Sequence, residues 1–339
     1  MYNTALLRLF LTMFYYVKEG YRMKKVFKII GIILIVLTVI VLILAGIGYI
    51  YIKSKLSKIN YMTVENVEIN EGVESGERYQ HIALLGIDTR KDVYTGCRSD
   101  CIIIATIDNE LKQVKLTSVY RDTYLEIPNY GFDKVTHAYA FGQAGLTLST
   151  LNRNLDLDIT EVVVVNFSAT KDIINKLGGI EMTIDADEVK FIWGINSPGT
   201  YNLTGDQALA YSRIRFAEGG DFKRTERMRD VIIKCFEKAK TKNIAEVNDL
   251  ITQLLPEIST NVSQEEIFSS VYKLYSYDIV TSMGWPYETS GKMINGIYYG
   301  VPVDLEANVI KLHKEVFGEE NYEPSETVKQ ISNKLKNIK

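Results

Sequence analysis

The sequence has few of the side chains that most often carry enzyme chemistry: among 339 residues there are three cysteines and three histidines. The cysteines show no CxxC or Cys/His spacing, which argues against a zinc site. We interpret them as small apolar residues, although a turn between Cys97 and Cys101 would allow a disulfide in an outward-facing domain. The histidines are scattered, and His137 is expected to pack a helix. A GxSxG elbow, an HExxH motif and a P-loop are absent from the sequence, so the chemistry of those three enzyme classes is excluded.

Beyond the N-terminal region, basic residues are outnumbered by acidic ones. Residues 1–58 hold nine of the 39 basic residues and one of the 42 acidic residues, so the remainder carries a formal charge of −11. An acidic domain is a poor general binder of the phosphate backbone. We therefore expect no nucleic-acid partner.

Residues 29–52 contain neither charge nor proline. About 20 such residues span the hydrocarbon core of a bilayer, whereas a cleavable signal peptide needs an apolar run of only about 7–15. Basic residues before this run slightly favour a cytoplasmic N-terminus. The sequence predicts a short cytoplasmic segment at 1–28, a membrane-spanning helix at 29–52 and an extracytoplasmic linker at 53–79. The Met-Lys-Lys start at Met23 indicates that residues 1–22 are not translated.

The rest of the sequence alternates between apolar runs and helical patterns. Continuous apolar runs are typical of strands buried on both faces, and they occur at 81–87, 101–107 and 161–167. Helical patterns lie between and after these runs. This order predicts an α/β domain with a central mixed sheet.

Charged residues stand where the apolar runs end. Asp88 follows one run, Arg98 and Asp100 open the next, and Arg121 follows a third. Ligands of open α/β sheets gather at such strand ends. A carboxylate repels a phosphate unless a hard cation lies between them, and Mg²⁺ binds one or two carboxylates together with phosphate oxygens and water. Asp88 and Asp100 therefore fit a Mg²⁺ site.

Arginines are concentrated in one later stretch, at Arg213, Arg215, Arg224, Arg227 and Arg229. The guanidinium fork matches phosphate oxygens, so this concentration points to a bound anion, with surface salt bridges as the alternative. Helical spacing places Arg224 and Arg227 on one side of a helix. The same spacing predicts that Arg229 is a solvated surface residue.

Between His81 and Lys240 the sequence carries eight motifs in a fixed order: LLGIDTR, RSD, SVYRD, KVTHAYAFG, VVVVNF, LGGIEM, LTGDQALAYSRIR and DFKRTER. Together with the apolar anchor, this order resembles the LytR-CpsA-Psr family. The resemblance implies a three-layer α/β/α fold with an apolar pocket for a polyprenyl chain. Residues 80–241 would form the catalytic core, and residues 242–339 a helical part of the same domain.

The resemblance also implies an activity. The family transfers a phosphate-linked glycopolymer, such as wall teichoic acid or capsular polysaccharide, from a polyprenyl diphosphate to the muramyl 6-hydroxyl of peptidoglycan, outside the membrane. By motif position, Asp88 and Asp100 would hold Mg²⁺. The diphosphate would be bound by Arg98, Arg121, Arg213, Arg215 and Arg224. Catalysis would rest on Arg121, Arg213 and Asp88, with Asp88 as the base, alone or through a bound water.

The sequence departs from the family pattern at three positions. Tyr120 stands where proline usually precedes Arg-Asp, and Gln143 replaces the second glycine after KVTHAYAFG. Met228 stands where glutamine usually follows RxxR, which predicts the loss of one hydrogen bond to the diphosphate. Met228→Gln is then expected to bind the lipid at least as tightly as the parent.

Three other functions use the same features. One is a transcriptional attenuator, which an acidic domain across a membrane from DNA argues against. Another is a lipid-binding protein without catalysis. The last is a pyrophosphatase with water as the acceptor, which would need the same arginines and carboxylates.

Overall fold

The computed structural model describes residues 60–74, 76–89 and 96–338. The predicted cytoplasmic segment 1–28, the predicted membrane helix 29–52 and the proposed start at Met23 lie outside the described residues. None of the helices within the described ranges is long and apolar enough to cross a bilayer.

The strands of the described residues form one large mixed sheet and three small antiparallel pairs. In the large sheet the order is β1-β10-β7-β2-β3-β4-β11, and the small pairs are β5–β6, β8–β9 and β12–β13. The bounds are β1 Asn60–Tyr61, β2 Tyr79–Ile87, β3 Ser99–Asp108, β4 Gln113–Val119, β5 Tyr124–Ile127, β6 Gly131–Lys134, β7 Glu161–Asn166, β8 Ile180–Ile184, β9 Gly199–Leu203, β10 Ile258–Thr260, β11 Asp278–Trp285, β12 Thr289–Ile294 and β13 Ile297–Pro302.

The helices of the same residues lie between and after the buried strands, as the sequence predicts. Their bounds are α1 Val135–Leu155, α2 Phe167–Leu177, α3 Gly205–Ser212, α4 Gly220–Lys240, α5 Ile244–Leu254, α6 Gln264–Ser276, α7 Leu305–Phe317 and α8 Glu326–Lys336. Their start and stop signals are local. At the start of α3, Thr204 and Gln207 exchange hydrogen bonds in a capping box, and α2 ends at Gly178, whose φ of 86° favours glycine.

The sheet is covered by helices on both faces, which confirms the α/β/α arrangement. Ala83, Leu85 and Ile87 of β2 belong to a buried cluster that includes side chains of α1, α7 and α8. On the opposite face, Leu84 packs in a cluster with Ile232 of α4. Since successive strand residues face opposite layers, the uninterrupted apolar run of β2 follows from burial on both faces.

Two of the predicted segments contain β-strands that the sequence did not predict. Within the predicted linker 53–79, Asn60 and Tyr61 pair with β10 as an edge strand, and the Asn70 amide donates to the Asp156 carboxylate at 2.6 Å. The segment 242–339 is not only helical, because β10 and β11 extend the central sheet and β12–β13 form a hairpin. The prediction missed these strands because β10 spans three residues and β11 alternates at an exposed edge.

Helix α1 has a kink where the sequence departs from the family pattern. Gln143 adopts φ 54° and ψ −147°, a region that glycine occupies readily and a side chain does not. We predict that Gln143→Gly relieves this strain by more than the extra freedom of the unfolded glycine costs, a net gain of about 1 kcal/mol. The melting temperature should rise by about 2–4 °C. Gln143→Ala is the control and should show no rise; an equal rise for both variants would mean that the side chain, and not the backbone, causes the effect.

Candidate functional site

The two carboxylates predicted to hold a metal lie at a bulge between β2 and β3. Gly86 pairs with Cys101 and Ile87 pairs with Ser99, which leaves Asp100 as the extra residue on β3. The Asp88 N–H donates to the Arg98 carbonyl at 3.0 Å, so Asp88 directly follows the paired strands. Bulges of this kind redirect side chains beside active sites. The local pairing thus brings Asp88 and Asp100 to the same end of the sheet.

Arg121, at the end of β4, forms ion pairs with two carboxylates. Its Nη1 donates to Asp100 Oδ1 at 2.6 Å, and its Nε lies 3.6 Å from Asp122 Oδ2. Burial lowers the pKa of Arg121, but Asp100 and Asp122 outweigh burial and leave it raised. The other oxygen of Asp122 accepts from Lys134 Nζ at 2.8 Å. Arg121 therefore stays charged and joins β3 to the loop after β4.

Arg224, in the first turns of α4, brings a second guanidinium to this group. The residue is only 2% exposed, and its Nη2 lies 3.0 Å from Asp221 Oδ1. Burial lowers the pKa of Arg224, and the positive charges of Arg121 and Arg215 lower it further. The carboxylates of Asp221 and Asp100 raise this pKa, but it remains below its ordinary value. A bound anion would offset both the burial of Arg224 and the positive charges beside it.

Two buried N–H groups at this site are without an acceptor. Among the described residues, Nε of Arg121 and Nε of Arg224 have no hydrogen-bond partner. A buried donor left unpaired typically costs ~1–3 kcal/mol. The Nε–H of Arg121 faces Asp122 at 3.6 Å. Arg224 is a predicted diphosphate ligand, so a phosphate oxygen is a suitable missing acceptor for its Nε–H.

The other predicted arginine ligands are exposed at the same edge. Arg213 caps the end of α3, and its guanidinium carbon lies 4.4 Å from the centre of the Phe167 ring. Arg215 and Arg98 are also exposed. Exposed guanidinium groups beside a buried one form an open cationic rim.

An apolar cavity of about 110 Å³ lies beneath this rim. It runs between the sheet and helices α2, α3 and α4. Asp100, Phe167 and Ser212 line it together with aliphatic side chains. Because Asp100 also pairs with Arg121 and Phe167 lies under Arg213, the cationic group stands at the mouth of an apolar cavity.

Two arginines of the predicted cluster have structural roles. Arg227 is buried, and its Nε lies 2.6 Å from Glu188 Oε1, which is also buried. The prediction that Arg229 is solvated is wrong: it is 6% exposed, and its Nε donates to Ser282 Oγ on β11 at 2.8 Å. The missed strand β11 covers the side of α4 that the helical spacing assigned to solvent.

The carboxylates suit a magnesium ion that the substrate completes. The described residues contain no group of three or more His, Cys, Asp or Glu side chains able to hold a metal on their own. Mg²⁺ is usually held by one or two carboxylates plus substrate phosphates and water, not by a full protein cage. Asp88 and Asp100 fit that donor set, and both are hard oxygen ligands beside the predicted phosphate ligands.

Met228 lines the apolar cavity together with Val231 and Ile232. The expectation that glutamine here would bind the diphosphate is therefore revised. We predict that Met228→Gln binds a polyprenyl diphosphate about tenfold more weakly, because it places a polar amide in the cavity proposed for the apolar tail, at a cost of ~1–3 kcal/mol. Met228→Leu is the control and should bind like the parent. A titration that shows tighter binding for the glutamine variant would restore the original assignment.

Sequence reasoning missed the carboxylates on the far side of Arg121. Asp122 and Asp221 were not among the predicted site residues; both line a small cleft beside Arg121. The signal was the Arg-Asp pair after an apolar strand. His137, expected to pack a helix, has its Nδ1 2.8 Å from Asp133 Oδ2 and lies beside Phe141.

With this geometry in place, comparisons with known proteins identify the family. The model of the LytR_cpsA_psr family matches residues 47–315. This chain belongs to that family. A relative from Bacillus subtilis (strain 168), the polyisoprenyl-teichoic acid–peptidoglycan teichoic acid transferase TagT, is 32% identical over 232 residues, covering 64% of this chain and 70% of TagT. The transferase TagU from Enterococcus faecalis is 35% identical over 257 residues, covering 72% of this chain and 81% of TagU.

Solved structures of family members share the fold. A structure described as TagT bound to LIIa-WTA matches with a TM-score of 0.63 at 26% identity and covers 76% of this chain and 98% of that one. A structure of TagT with a bound octaprenyl pyrophosphate lipid matches with a TM-score of 0.59 at 25% identity and the same coverage. The mixed sheet with flanking helices is therefore the fold of the LytR_cpsA_psr family.

Proposed function

We propose that this protein transfers a phosphate-linked glycopolymer from a polyprenyl diphosphate carrier to peptidoglycan. The observation that supports the proposal most directly is a group of arginines at the mouth of an apolar cavity. Asp100 and Phe167 line the cavity, and they contact Arg121 and Arg213 of the group. A ligand that satisfies both parts has an anionic head and an apolar tail. TagT, which shares the fold, has been solved with such a lipid.

The head of the substrate would be bound by the five predicted arginines. Arg224, which is buried, offers an Nε–H without an acceptor among the described residues. The partly exposed Arg121 would bind beside it, and Arg98, Arg213 and Arg215 would bind from the exposed rim. Bidentate guanidinium contacts to phosphate are among the stronger charge-assisted hydrogen bonds. The arginines hold the diphosphate at the strand ends and stabilise charge on its oxygens during transfer.

The tail would lie between the sheet and one helical layer. A second apolar cavity of about 380 Å³ lies further along β3, α2 and α4, lined by residues such as Ile107, Leu177 and Cys235. Cys101 lines the first cavity, and Ile107 lines the second. Ile107 lies six positions after Cys101 on β3, a distance of ~20 Å along the strand. This interval suits a long apolar chain that passes along the sheet.

The chemistry needs one bond formed and one broken. An acceptor hydroxyl oxygen forms a bond to the phosphorus that carries the glycan, and the bond from that phosphorus to polyprenyl phosphate breaks. The leaving oxygen keeps the electron pair, and the hydroxyl proton passes to a carboxylate. Mg²⁺ held by Asp88 and Asp100 would supply charge neutralisation at the phosphate oxygens. The arginines orient the diphosphate, and the apolar cavity excludes water from its tail side.

We also propose that the domain lies outside the cell, attached by the predicted membrane helix at 29–52. The charge-free run and the location of both proposed substrates support this placement. Protease added to intact cells should degrade the domain. Complete protection in intact cells, with digestion after lysis, would contradict the proposed orientation.

The direct test is a transfer assay with the full chain in detergent micelles. We expect a lipid-diphosphate glycan to become attached to peptidoglycan with Mg²⁺ present, and the rate to fall when the ion is chelated. Release of glycan phosphate without attachment would favour the pyrophosphatase alternative. Binding of the lipid without turnover would favour a lipid-binding protein.

A further inference from the structure

A second cleft lies on the other side of Arg121 from the apolar cavity. We call it the hairpin cleft; it is bounded by Tyr120, Asp122, Asp221, Phe222, Thr289 and Tyr298 and has a volume of about 50 Å³. It is formed where the β12–β13 hairpin docks on the loop after β4. The Gly300 N–H donates to the Asp122 carbonyl at 2.9 Å, and Thr123 forms a parallel bridge with Gly300. The hairpin is thus fixed against the loop that carries Arg121.

Arg121 separates two chemically different sides. Its Nη1 donates to Asp100, at the mouth of the apolar cavity and among the arginines; its Nε faces Asp122. The hairpin cleft has two carboxylates, Asp122 and Asp221, in its lining. Carboxylates disfavour a phosphate and accept hydrogen bonds from a neutral hydroxyl. The diphosphate therefore belongs on the Asp100 side, where the arginines and the proposed Mg²⁺ offset the carboxylates. A neutral hydroxyl donor belongs on the Asp122 side.

The rim of the cleft is aromatic and pre-positioned. The Tyr298 ring lies across Gly291 on the neighbouring strand, where a Cβ would come within 2.8 Å of the ring. Tyr298 is nevertheless 48% exposed, as is Phe222, whose ring meets Tyr120 edge-on with the centroids 4.6 Å apart. Partly exposed rings held rigidly provide flat apolar surfaces beside polar groups. Such surfaces suit the C–H face of a sugar ring, with its hydroxyl groups directed at the carboxylates.

The size of the cleft limits what enters it. Its volume of about 50 Å³ exceeds the ~10–15 Å³ that admits one water molecule, so a small polar group can enter it. A hydroxymethyl group fits this space, whereas a pyranose ring would remain outside against Tyr298 and Phe222.

On the basis of the proposed function, we propose that the hairpin cleft binds the sugar acceptor through its primary hydroxyl group. Asp122 accepts the proton of that hydroxyl as its oxygen bonds to the phosphorus. Tyr298 carries the sugar ring. This assigns the proton to Asp122 and leaves Asp88 to the metal. The Oδ1 of Asp122 stays paired with Lys134 Nζ at 2.8 Å, which fixes the carboxylate in the cleft. Arg121 then stands between donor and acceptor, in contact with a carboxylate on each side.

The test measures the KM for the acceptor, the Kd of the donor lipid and kcat. It uses the full chain in detergent micelles and a soluble peptidoglycan disaccharide as the acceptor probe. We expect Tyr298→Ala to raise the acceptor KM about tenfold while the donor Kd stays parental. We expect Asp122→Asn to lower kcat about a hundredfold or more, also at a parental donor Kd. Met293→Ala is the matched control, since Met293 is on the same hairpin, is 66% exposed and does not line the cleft.

The affinity for the disaccharide is also measured directly by NMR. This measurement tests the hairpin cleft without depending on the transfer reaction. If the parent transfers nothing but binds the disaccharide, and Tyr298→Ala binds it at least tenfold more weakly, the cleft stands and the transfer reaction fails. If Tyr298→Ala binds the disaccharide like the parent, the cleft assignment is overturned. A proportional loss of donor affinity in Asp122→Asn would also overturn it, because that result would place Asp122 in the donor site.

Discussion

Arg121→Ala is expected to lower the rate of glycan transfer by about a hundredfold or more. Removing one charge-stabilising contact from a transition state typically has an effect of that size. Arg121 combines three features in this structure: a 2.6 Å bond to Asp100, a buried Nε–H without an acceptor among the described residues, and a position beside Asp122. Its loss therefore removes a phosphate donor and leaves Asp100 with less positive charge nearby.

The stability of this variant separates ligand loss from unfolding. Arg121 and Asp100 are both partly exposed, so the lost pair should cost roughly 1–3 kcal/mol, and the fold should persist. Arg121→Lys is the matched control; it keeps the charge but loses the planar fork, and it should remain strongly impaired. The transfer rate and the melting temperature are measured for the parent and for both variants. A folded Arg121→Ala protein with a parental rate would remove Arg121 from the site.

Arg227→Ala and Arg224→Ala are expected to behave in opposite ways, although the two residues are three positions apart on one helix. Removing Arg227 leaves Glu188 buried without its partner, which typically costs ~3–5 kcal/mol. Removing Arg224 relieves repulsion with Arg121 and Arg215 and leaves Asp221, which is partly exposed, to solvent. Arg227→Ala should therefore melt well below the parent. Arg224→Ala should melt near the parent temperature and bind the lipid diphosphate much more weakly.

A double variant provides the control for the buried pair. Arg227→Met combined with Glu188→Leu replaces both charges by apolar side chains of similar size, and such replacements are often neutral or stabilising. It should recover most of the stability lost in Arg227→Ala. Thermal denaturation of the three proteins decides the matter. Equal melting temperatures for Arg224→Ala and Arg227→Ala would contradict the division into ligand and structural arginine.

The sequence predicted the interior of the fold better than its edges. Central strands such as β2 and β7 are continuous apolar runs because both faces are buried, and that pattern is visible in one dimension. Edge strands such as β11 alternate with polar residues, and their pairing with β4 depends on a partner about 165 positions away. The β12–β13 hairpin did carry a local signal, since its turn is Asn295-Gly296 with φ of 52° and 80°; this dipeptide favours a tight hairpin turn.

At the site, too, residues with a local sequence signal were predicted, and residues that depend on distant partners were not. Carboxylates and arginines at strand ends could be predicted because they interrupt apolar patterns, and Asp100, Arg121 and Arg224 do lie together. The roles of Arg227 and Arg229 could not be predicted, because their partners Glu188 and Ser282 lie on distant segments of the chain. Helical spacing gives the direction of a side chain but not what is packed against it.

In the proposed reaction the glycan phosphate is transferred to a sugar hydroxyl and not to water. The most direct measurement is the transfer reaction run in ¹⁸O-labelled water, with mass spectrometry of every phosphorus-containing product. We expect a phosphodiester between glycan and peptidoglycan that contains no ¹⁸O, formed in equal amount with unlabelled polyprenyl phosphate. Labelled glycan phosphate or labelled polyprenyl phosphate, with no glycan attached to peptidoglycan, would contradict it.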